Sequence, residues 1–487
     1  MRYAYEVSDV RSAEQALMAR LPEGALMQRA ATGLATIVAR MLAERTGAVY
    51  GSHVVLLVGV GDNGGDALYA GAQLARRGVS VRAVPANPER AHAGGVAALR
   101  DAGGRVVDLA AAHGVLRRAD LIVDGLLGIG GTGGLRGDFA ELAARARDAA
   151  DESGAPIVAV DLPSGIEADS GEVHERQDSP CTALRADVTV TFGTFKPGLL
   201  VDPGAGYAGI VELVDIGLSF FEAVEPVLDN LQEQDVRALL PEPDRSSHKY
   251  SRGVVGLAVG STQYPGAALI AAGSAIHSGV GAVRYDGPVD VVTAHPEVIH
   301  GDGRVQAWVI GSGIGQDDKA RERLERALAS DVPVVVDGDG LRLLPPKAIE
   351  RGGAPTVLTP HAGEAGHLLD VPSARIEEQR LESVRRLAER YQATVLLKGS
   401  LTLVCSPGEA TVRVNTHASA ALATAGSGDL LAALVGGLLA TGLGPLDAAS
   451  VGAYLHGAAG LLAARSGPVA AGDLVAALPS AWQNVRG

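Results

Sequence analysis

Short β-branched runs alternate with helical stretches along the chain, and the alternation occurs twice. VVLLVGV (54–60), VSVRAV (79–84), LIVD (121–124), PIVAVD (156–161) and DVTVTF (187–192) form the first series, with ALYAGAQLARRG and FAELAARARDAADESG as helical segments between them. VVGLAVG (254–260), AWVIG (307–311), VPVVVD (332–337), TVLTP (356–360) and ATVLLKG (393–399) form the second, with helical patterns at about 319–329, 377–391, 427–440 and 447–465. Strand–helix alternation of this kind implies parallel, doubly wound α/β sheets, with ligands at the carboxyl ends of the strands. Residues 216–253 are charged and carry three prolines, with no strand signal before Val254. The predicted fold is therefore two α/β domains, 1–220 and 221–487.

Composition narrows the function. Apolar residues make up 47% of the 487, enough for two cores, and the formal charge is −14 without any basic block. Nucleic acid and anionic membrane are poor partners for such a chain. Asp429 and several glycines interrupt the most apolar stretch, 421–442, so a buried helix after a loop is predicted rather than a membrane span. No secretory signal is visible, and only two cysteines occur, Cys181 and Cys405, far apart in sequence, which excludes a disulfide framework and a zinc ribbon. A reducing, cytoplasmic setting is expected.

Three strand ends in the first half carry the chemistry. Gly59-Val60-Gly61-Asp62-Asn63-Gly64-Gly65-Asp66 fits G-x-G-x-x-G between a strand and a helix. The acid expected at the next strand tip of a dinucleotide site is missing, since that tip reads Val84-Pro85-Ala86-Asn87. Two carboxylates beside a helix N-terminus also oppose a pyrophosphate. Asp66 is then either a helix cap or part of a site. Asp124 opens the glycine-rich DGLLGIGGTGG, and Asp161 opens Asp161-Leu162-Pro163-Ser164-Gly165. Asn63, Asp124 and Ser164 offer hard oxygens to one cation, and Asp161 a proton carrier, unless each site is independent turn chemistry.

In the second half, Ala425-Gly426-Ser427-Gly428-Asp429 opens an apolar helix. Glycines there free backbone N–H groups for a nucleotide phosphate, and Asp429 is either the base for a substrate hydroxyl or a helix cap. Lys398-Gly399-Ser400-Leu401-Thr402 adds a cation and two hydroxyls after a strand. His361 in LTPHAGE is a candidate contact or a structural histidine, and Gly311-Ser312-Gly313-Ile314-Gly315 is another close-approach loop.

These motifs resemble known families. VGVGDNGGD, DGLLGIG and VDLPSGIEADSG, with the helical arm around AEQALMARLPEGALMQRA, closely resemble the NAD(P)H-hydrate epimerases over about 1–220. Asp62 stands where that family commonly has Asn, and Ala67 where it has Gly. HKY (248–250), YPGAA (264–268), GSGIGQ (311–316), DGDGL (337–341), LTPHAGE (358–364), LLKG (396–399) and ATAGSGDLL (423–431) resemble the ribokinase-like, ADP-dependent NAD(P)H-hydrate dehydratases over about 230–487.

The first resemblance implies a potassium ion on Asn63, Asp124 and Ser164, with Asp161 catalytic. It implies substrate contacts from Asp62, Asn63, Gly64, Gly65, Asp66 and Asp161, and from the loop Gly128, Ile129, Gly130, Gly131, Thr132, Gly133 and Gly134. The second implies an ADP site at Lys398, Gly399, Ser400, Leu401, Thr402 and Gly428, with Mg²⁺ accompanying ADP. It implies hydrate contacts from Ala267, Gly313, His361 and Asp429, Asp429 being the catalytic base. Together they imply a fused repair enzyme that epimerises the R and S hydrates of reduced nicotinamide nucleotides and dehydrates the S form, and that acts as a homo-oligomer. Alternatives are a small-molecule kinase on the same fold, a nucleotide sensor without activity, and a Rossmann oxidoreductase.

Overall fold

A computed structural model describes residues 1–219, 224–301, 303–349 and 351–487. The chain forms two compact units, Tyr3–Val227 and Leu228–Gly487 with Met1–Arg2. The boundary expected at 220 falls on residues outside the described ones.

In the first unit seven strands form one sheet in the order Arg105–Val106, Ser80–Pro85, His53–Val58, Leu121–Gly125, Ile157–Val160, Val188–Phe192, Ile210–Val214. All neighbours are parallel. The five expected strands are present, their ends shifted by no more than two residues. Val54, Leu56, Val58, Leu121 and Val123 face one core together with the helix Ala25–Thr46, and Val55, Leu57 and Ile122 face another with Gly137–Ser153. Near-continuous apolar strands are what burial on both faces demands. The strand order reverses beside His53–Val58, and there Gly59 N–H donates to Gly125 O at 3.0 Å. A Cβ on Gly59 would stand 1.8 Å from Leu126 O, so only glycine permits this approach.

The second unit has a mixed sheet. From Leu228–Asn230 it runs through Val412–Asn415, Thr402–Cys405, Thr394–Leu397, Thr356–Leu358, Val334–Val336, Ala307–Ile310, Val254–Ala258 and Ala282–Tyr285 to Val298–His300. Thr402–Cys405 is antiparallel to both its neighbours, and the remaining pairs are parallel. Here the order reverses beside Val254–Ala258, and Gly260 N–H donates to Ser312 O at 2.7 Å. The helix Ser427–Ala440 is buried along most of its length, as its apolar sequence predicts. Gly436 lets it lie on the sheet, since a Cβ there would meet Val309 Cγ2 at 2.1 Å. Among the described residues no single helix is long and apolar enough to cross a membrane. One bent pair, Pro445–Ser466 with Ala471–Arg486, passes that test by length and composition.

One expectation for 216–253 fails: Leu228–Asn230 is a strand. Asp and Asn disfavour strands. Tertiary partners override them here, because Asn230 Nδ2 donates to Val414 O at 2.7 Å and Asp229 pairs with Arg413 at 3.0 Å. Cys181 and Cys405 are both free and buried.

Candidate active sites

In the first unit the reversal point gathers the acidic strand ends. Asp124 is fully buried at the end of Leu121–Gly125. Its Oδ1 accepts from Ser164 Oγ at 2.7 Å and Leu126 N at 3.2 Å, and its Oδ2 accepts from Ser164 N at 2.9 Å. Burial pushes its carboxyl up to about 6 despite these bonds. Asn63 leans over the same loop, since a Cβ on Gly128 would stand 3.0 Å from Asn63 Oδ1, and Asn63 Nδ2 is buried without a partner. The hard oxygens of Asn63, Asp124 and Ser164 thus lie at one strand edge. A single carboxylate with neutral oxygens suits a cation of low charge.

Asp161 and Asp66 form the second part of this edge. Asp161 adopts φ 63°, a left-handed backbone that Asp tolerates better than most residues. Its Oδ1 accepts from Lys196 Nζ at 2.5 Å, Thr191 Oγ1 at 3.0 Å and Phe192 N at 3.1 Å. Lys196 is 1% exposed and also donates to Phe192 O at 3.0 Å.

Asp66 does not cap its helix. The cap position is Gly61, and Asp66 Oδ1 is buried without a partner. Burial, then the charges of Asp161, Asp62 and Glu14, hold Asp66 well above the usual carboxylate range. Burial likewise raises Glu14, which Lys196 opposes and Asp161 reinforces. Asp62 is exposed, while Gly64 and Gly65 are buried in the first turns of Asp62–Arg76. The loop Gly128–Gly134 is tied down at Gly133 N, which donates to Glu167 Oε1 at 2.7 Å, and Gly130 and Thr132 are exposed on it.

In the second unit the corresponding edge is built round Lys398. Its Nζ lies 2.8 Å from Asp337 Oδ1 and 3.7 Å from Glu364 Oε2. Burial alone would lower Lys398, yet Asp337, Glu364 and Asp429 hold it above its ordinary value. Asp337 also accepts from Thr359 Oγ1 at 2.7 Å and Ser312 Oγ at 2.9 Å. Asp429 is the third residue of Ser427–Ala440, whose cap position is Gly426, so Asp429 is not the cap. Burial and the nearby Asp337 push its carboxyl up to about 6, against a hydrogen bond from Ser312 and the charge of Lys398.

Gly428 stands beside these groups, since a Cβ there would be 3.3 Å from Lys398 Nζ. Ser427 Oγ meets buried His456 Nε2 at 2.9 Å, and burial lowers that imidazole to about 4. Ala267 sits next to Gly313, where a Cβ would meet its methyl at 3.0 Å. His361 does cap a helix, its Nδ1 accepting from Gly363 N at 3.0 Å and Glu364 N at 3.2 Å, while its side chain stays 55% exposed. Gly399 and Ser400 are exposed at the tip of the 398–402 turn, which leads into Thr402–Cys405.

Sequence reasoning missed Lys196, Ser312 and Asp337 as members of these edges. The strand-end motif DGDGL marks Asp337 and the close-approach loop 311–315 contains Ser312, but nothing local marks Lys196.

The comparisons agree with this division. A family model described as "NAD(P)H-hydrate dehydratase" matches residues 255–480, and one described as "YjeF-related protein N-terminus" matches 23–198. The bifunctional NAD(P)H-hydrate repair enzyme of Mycobacterium leprae is 44% identical over 479 residues, covering 96% of each chain. That of Moorella thermoacetica is 34% identical, covering 90% of this chain and 89% of its own. A solved ADP/ATP-dependent NAD(P)H-hydrate dehydratase from Bacillus subtilis, co-crystallised with ATP and Mg²⁺, is 29% identical, with TM-score 0.49. It covers 52% of this chain and 97% of its own. With two acidic strand edges in one chain and relatives aligned along nearly its whole length, the chain belongs to the bifunctional NAD(P)H-hydrate repair enzymes.

Proposed function

We propose that residues 1–220 interconvert the R and S hydrates of NADH and NADPH, and that residues 221–487 return the S hydrate to the reduced nucleotide at the expense of ADP. The observation that carries this reading is Asp429, held near pKa 6 beside Lys398 at a glycine-led helix start. A base of that strength is ionised at neutral pH yet still basic enough to take a proton. Asp429 removes the proton of the hydrate's ring hydroxyl, and that oxygen attacks the terminal phosphorus of ADP. The bond to AMP breaks, and AMP departs. Phosphate is a better leaving group than hydroxide, so the phosphorylated hydrate loses phosphate and a ring proton and regains the nicotinamide double bond.

In this reading Lys398, Gly399, Ser400, Leu401, Thr402 and Gly428 hold ADP, and Ala267, Gly313, His361 and Asp429 face the hydrate. A Mg²⁺ bound with the nucleotide would neutralise phosphate charge, held chiefly by the phosphates, since among the described residues no cluster of three acids forms a metal site of its own.

In the first domain Asp161, oriented by Lys196, moves the proton of the hydroxyl that leaves and returns on the opposite ring face. Asp62–Asp66 and Gly128–Gly134 hold the substrate. Asn63, Asp124 and Ser164 hold K⁺ through their oxygens, a reading supported by Asn63 Oδ1 leaning over the Gly128 turn and by Ser164 Oγ meeting Asp124. Assembly as a homo-oligomer is supported by the exposed edge strand Ile210–Val214, where Ile210 is 67% exposed. The charge of −14 supports an enzyme of small molecules rather than one acting on nucleic acid or anionic membrane.

The test is recovery of reduced-nicotinamide absorbance from mixed R and S hydrate, with ADP and ATP compared. Full recovery with release of AMP supports the reading. An inert hydrate with turnover of a sugar or vitamin alcohol would make the second domain a kinase.

A further inference from the structure

Arg380 is the largest buried charged side chain of the second unit, only 1% exposed, and no step above uses it. It begins the helix Arg380–Tyr391 and reaches beneath the 398–402 turn. Its Nη2 donates to three carbonyl oxygens of that turn, Leu397 at 3.3 Å, Lys398 at 3.1 Å and Leu401 at 2.9 Å. Nη1 meets Glu377 Oε2 at 2.7 Å, and Nε has no partner. Gly399 lies flat on the guanidinium, since a Cβ there would stand 2.4 Å from Nη2.

A trans peptide points its N–H opposite to its C=O. Drawing the Lys398 carbonyl down onto Arg380 therefore turns the Gly399 N–H away from the buried side, towards the exposed tip of the turn. Burying a guanidinium is costly unless its donors are satisfied. Here the Nη2 donors are spent on the backbone of one turn, Nε is left without a partner, and Glu377, the acid facing Nη1, is 56% exposed and neutralises it weakly.

We propose that Arg380 is a positioning residue for nucleotide binding: from beneath, it presents the 398–402 turn to a phosphorylated nucleotide. The proposal rests on the reading that ADP binds that turn. Lysine cannot replace the planar fork, because its one nitrogen cannot serve the three carbonyls from the Nη2 position and Glu377 from the Nη1 position at once.

The experiment titrates ADP and, separately, the S hydrate against the full chain and its Arg380→Lys, Arg380→Ala and Gly428→Ala variants, with thermal midpoints recorded. The expected result for Arg380→Lys is an ADP dissociation constant raised about 10- to 100-fold with the hydrate constant unchanged. Added guanidinium should restore ADP affinity to Arg380→Ala. If Arg380→Lys keeps ADP affinity while Gly428→Ala loses it, the nucleotide site stands and the role of Arg380 is overturned. If both keep it, the nucleotide is sited elsewhere and both readings fall. Equal losses for ADP and hydrate with a lowered midpoint make Arg380 structural and overturn the proposal.

Discussion

Each domain sets a lysine against an aspartate just beyond the ends of its parallel strands, but the two pairs differ in what they leave open. Lys196 and Asp161 are 2.5 Å apart, and the lysine is 1% exposed and enclosed by Thr191 and Phe192 O. Lys398 and Asp337 are 2.8 Å apart, the lysine side chain is 19% exposed, and Gly428 leaves space beside it. The first lysine is committed to its aspartate and orients it. The second is shared among acids and remains available to an arriving anion. A reaction that moves only protons and water suits the sealed pair, and phosphoryl transfer needs the open one.

The comparison breaks most visibly at Asp429. Asp429→Asn should slow dehydration about 10²- to 10⁴-fold and leave epimerisation intact, read as loss of the absorbance recovery with continued R/S exchange. A fall in epimerisation as well would mean that the two edges do not work independently.

Next is the sealed pair itself. Lys196→Met leaves Asp161 buried without its cation and should cost about 3–5 kcal/mol of stability by denaturant midpoint. Lys398→Met should cost clearly less, because that lysine is partly solvated and its acids are held by other donors. Equal losses would erase the distinction.

The third test is pH. Asp429 must be ionised to act as a base, so the dehydration rate should fall about tenfold per unit as pH drops below about 6. The linkage runs the opposite way. A carboxyl raised from 3.8 to about 6 in the folded state favours folding below 3.8, and that contribution is lost as pH rises through 6. Asp429→Asn should therefore be more stable than the parent at neutral pH, by up to about 3 kcal/mol, since one pKa unit is worth about 1.4 kcal/mol. A less stable variant would contradict the burial penalty.

The smallest effect is expected at Gly428. Its replacement by Ala places a methyl 3.3 Å from Lys398 Nζ and should weaken ADP roughly tenfold by titration. Hydrate exchange in the first domain should not respond.

The fold was legible where the chain obeys its own periodicity. The central strands of both sheets are β-branched runs ended by glycine, and both switch points carry the glycines that their close backbone approach requires. Leu228–Asn230 was not legible, because its strand character comes from Arg413 and Val414, nearly two hundred residues away. The sites divide the same way. Asp124, Asp161 and Asp429 announce themselves within short motifs. Lys196 reaches its aspartate from 35 residues on, Ser312 meets Asp337 across 25, and Arg380 acts on carbonyls that carry no side-chain signature at all. Residues that hold a site from below obey packing and leave no pattern in the chain.

His456 bears on how cleanly the second domain can be interrogated. Its imidazole, sequestered against Ser427, takes up a proton only in acid, near pH 4, and stays neutral across the range in which enzymes are assayed. A titration inflection between about pH 6 and 7 in nucleotide capture would thus come from Asp429 or from the nucleotide's own phosphate, and not from the histidine behind the helix start.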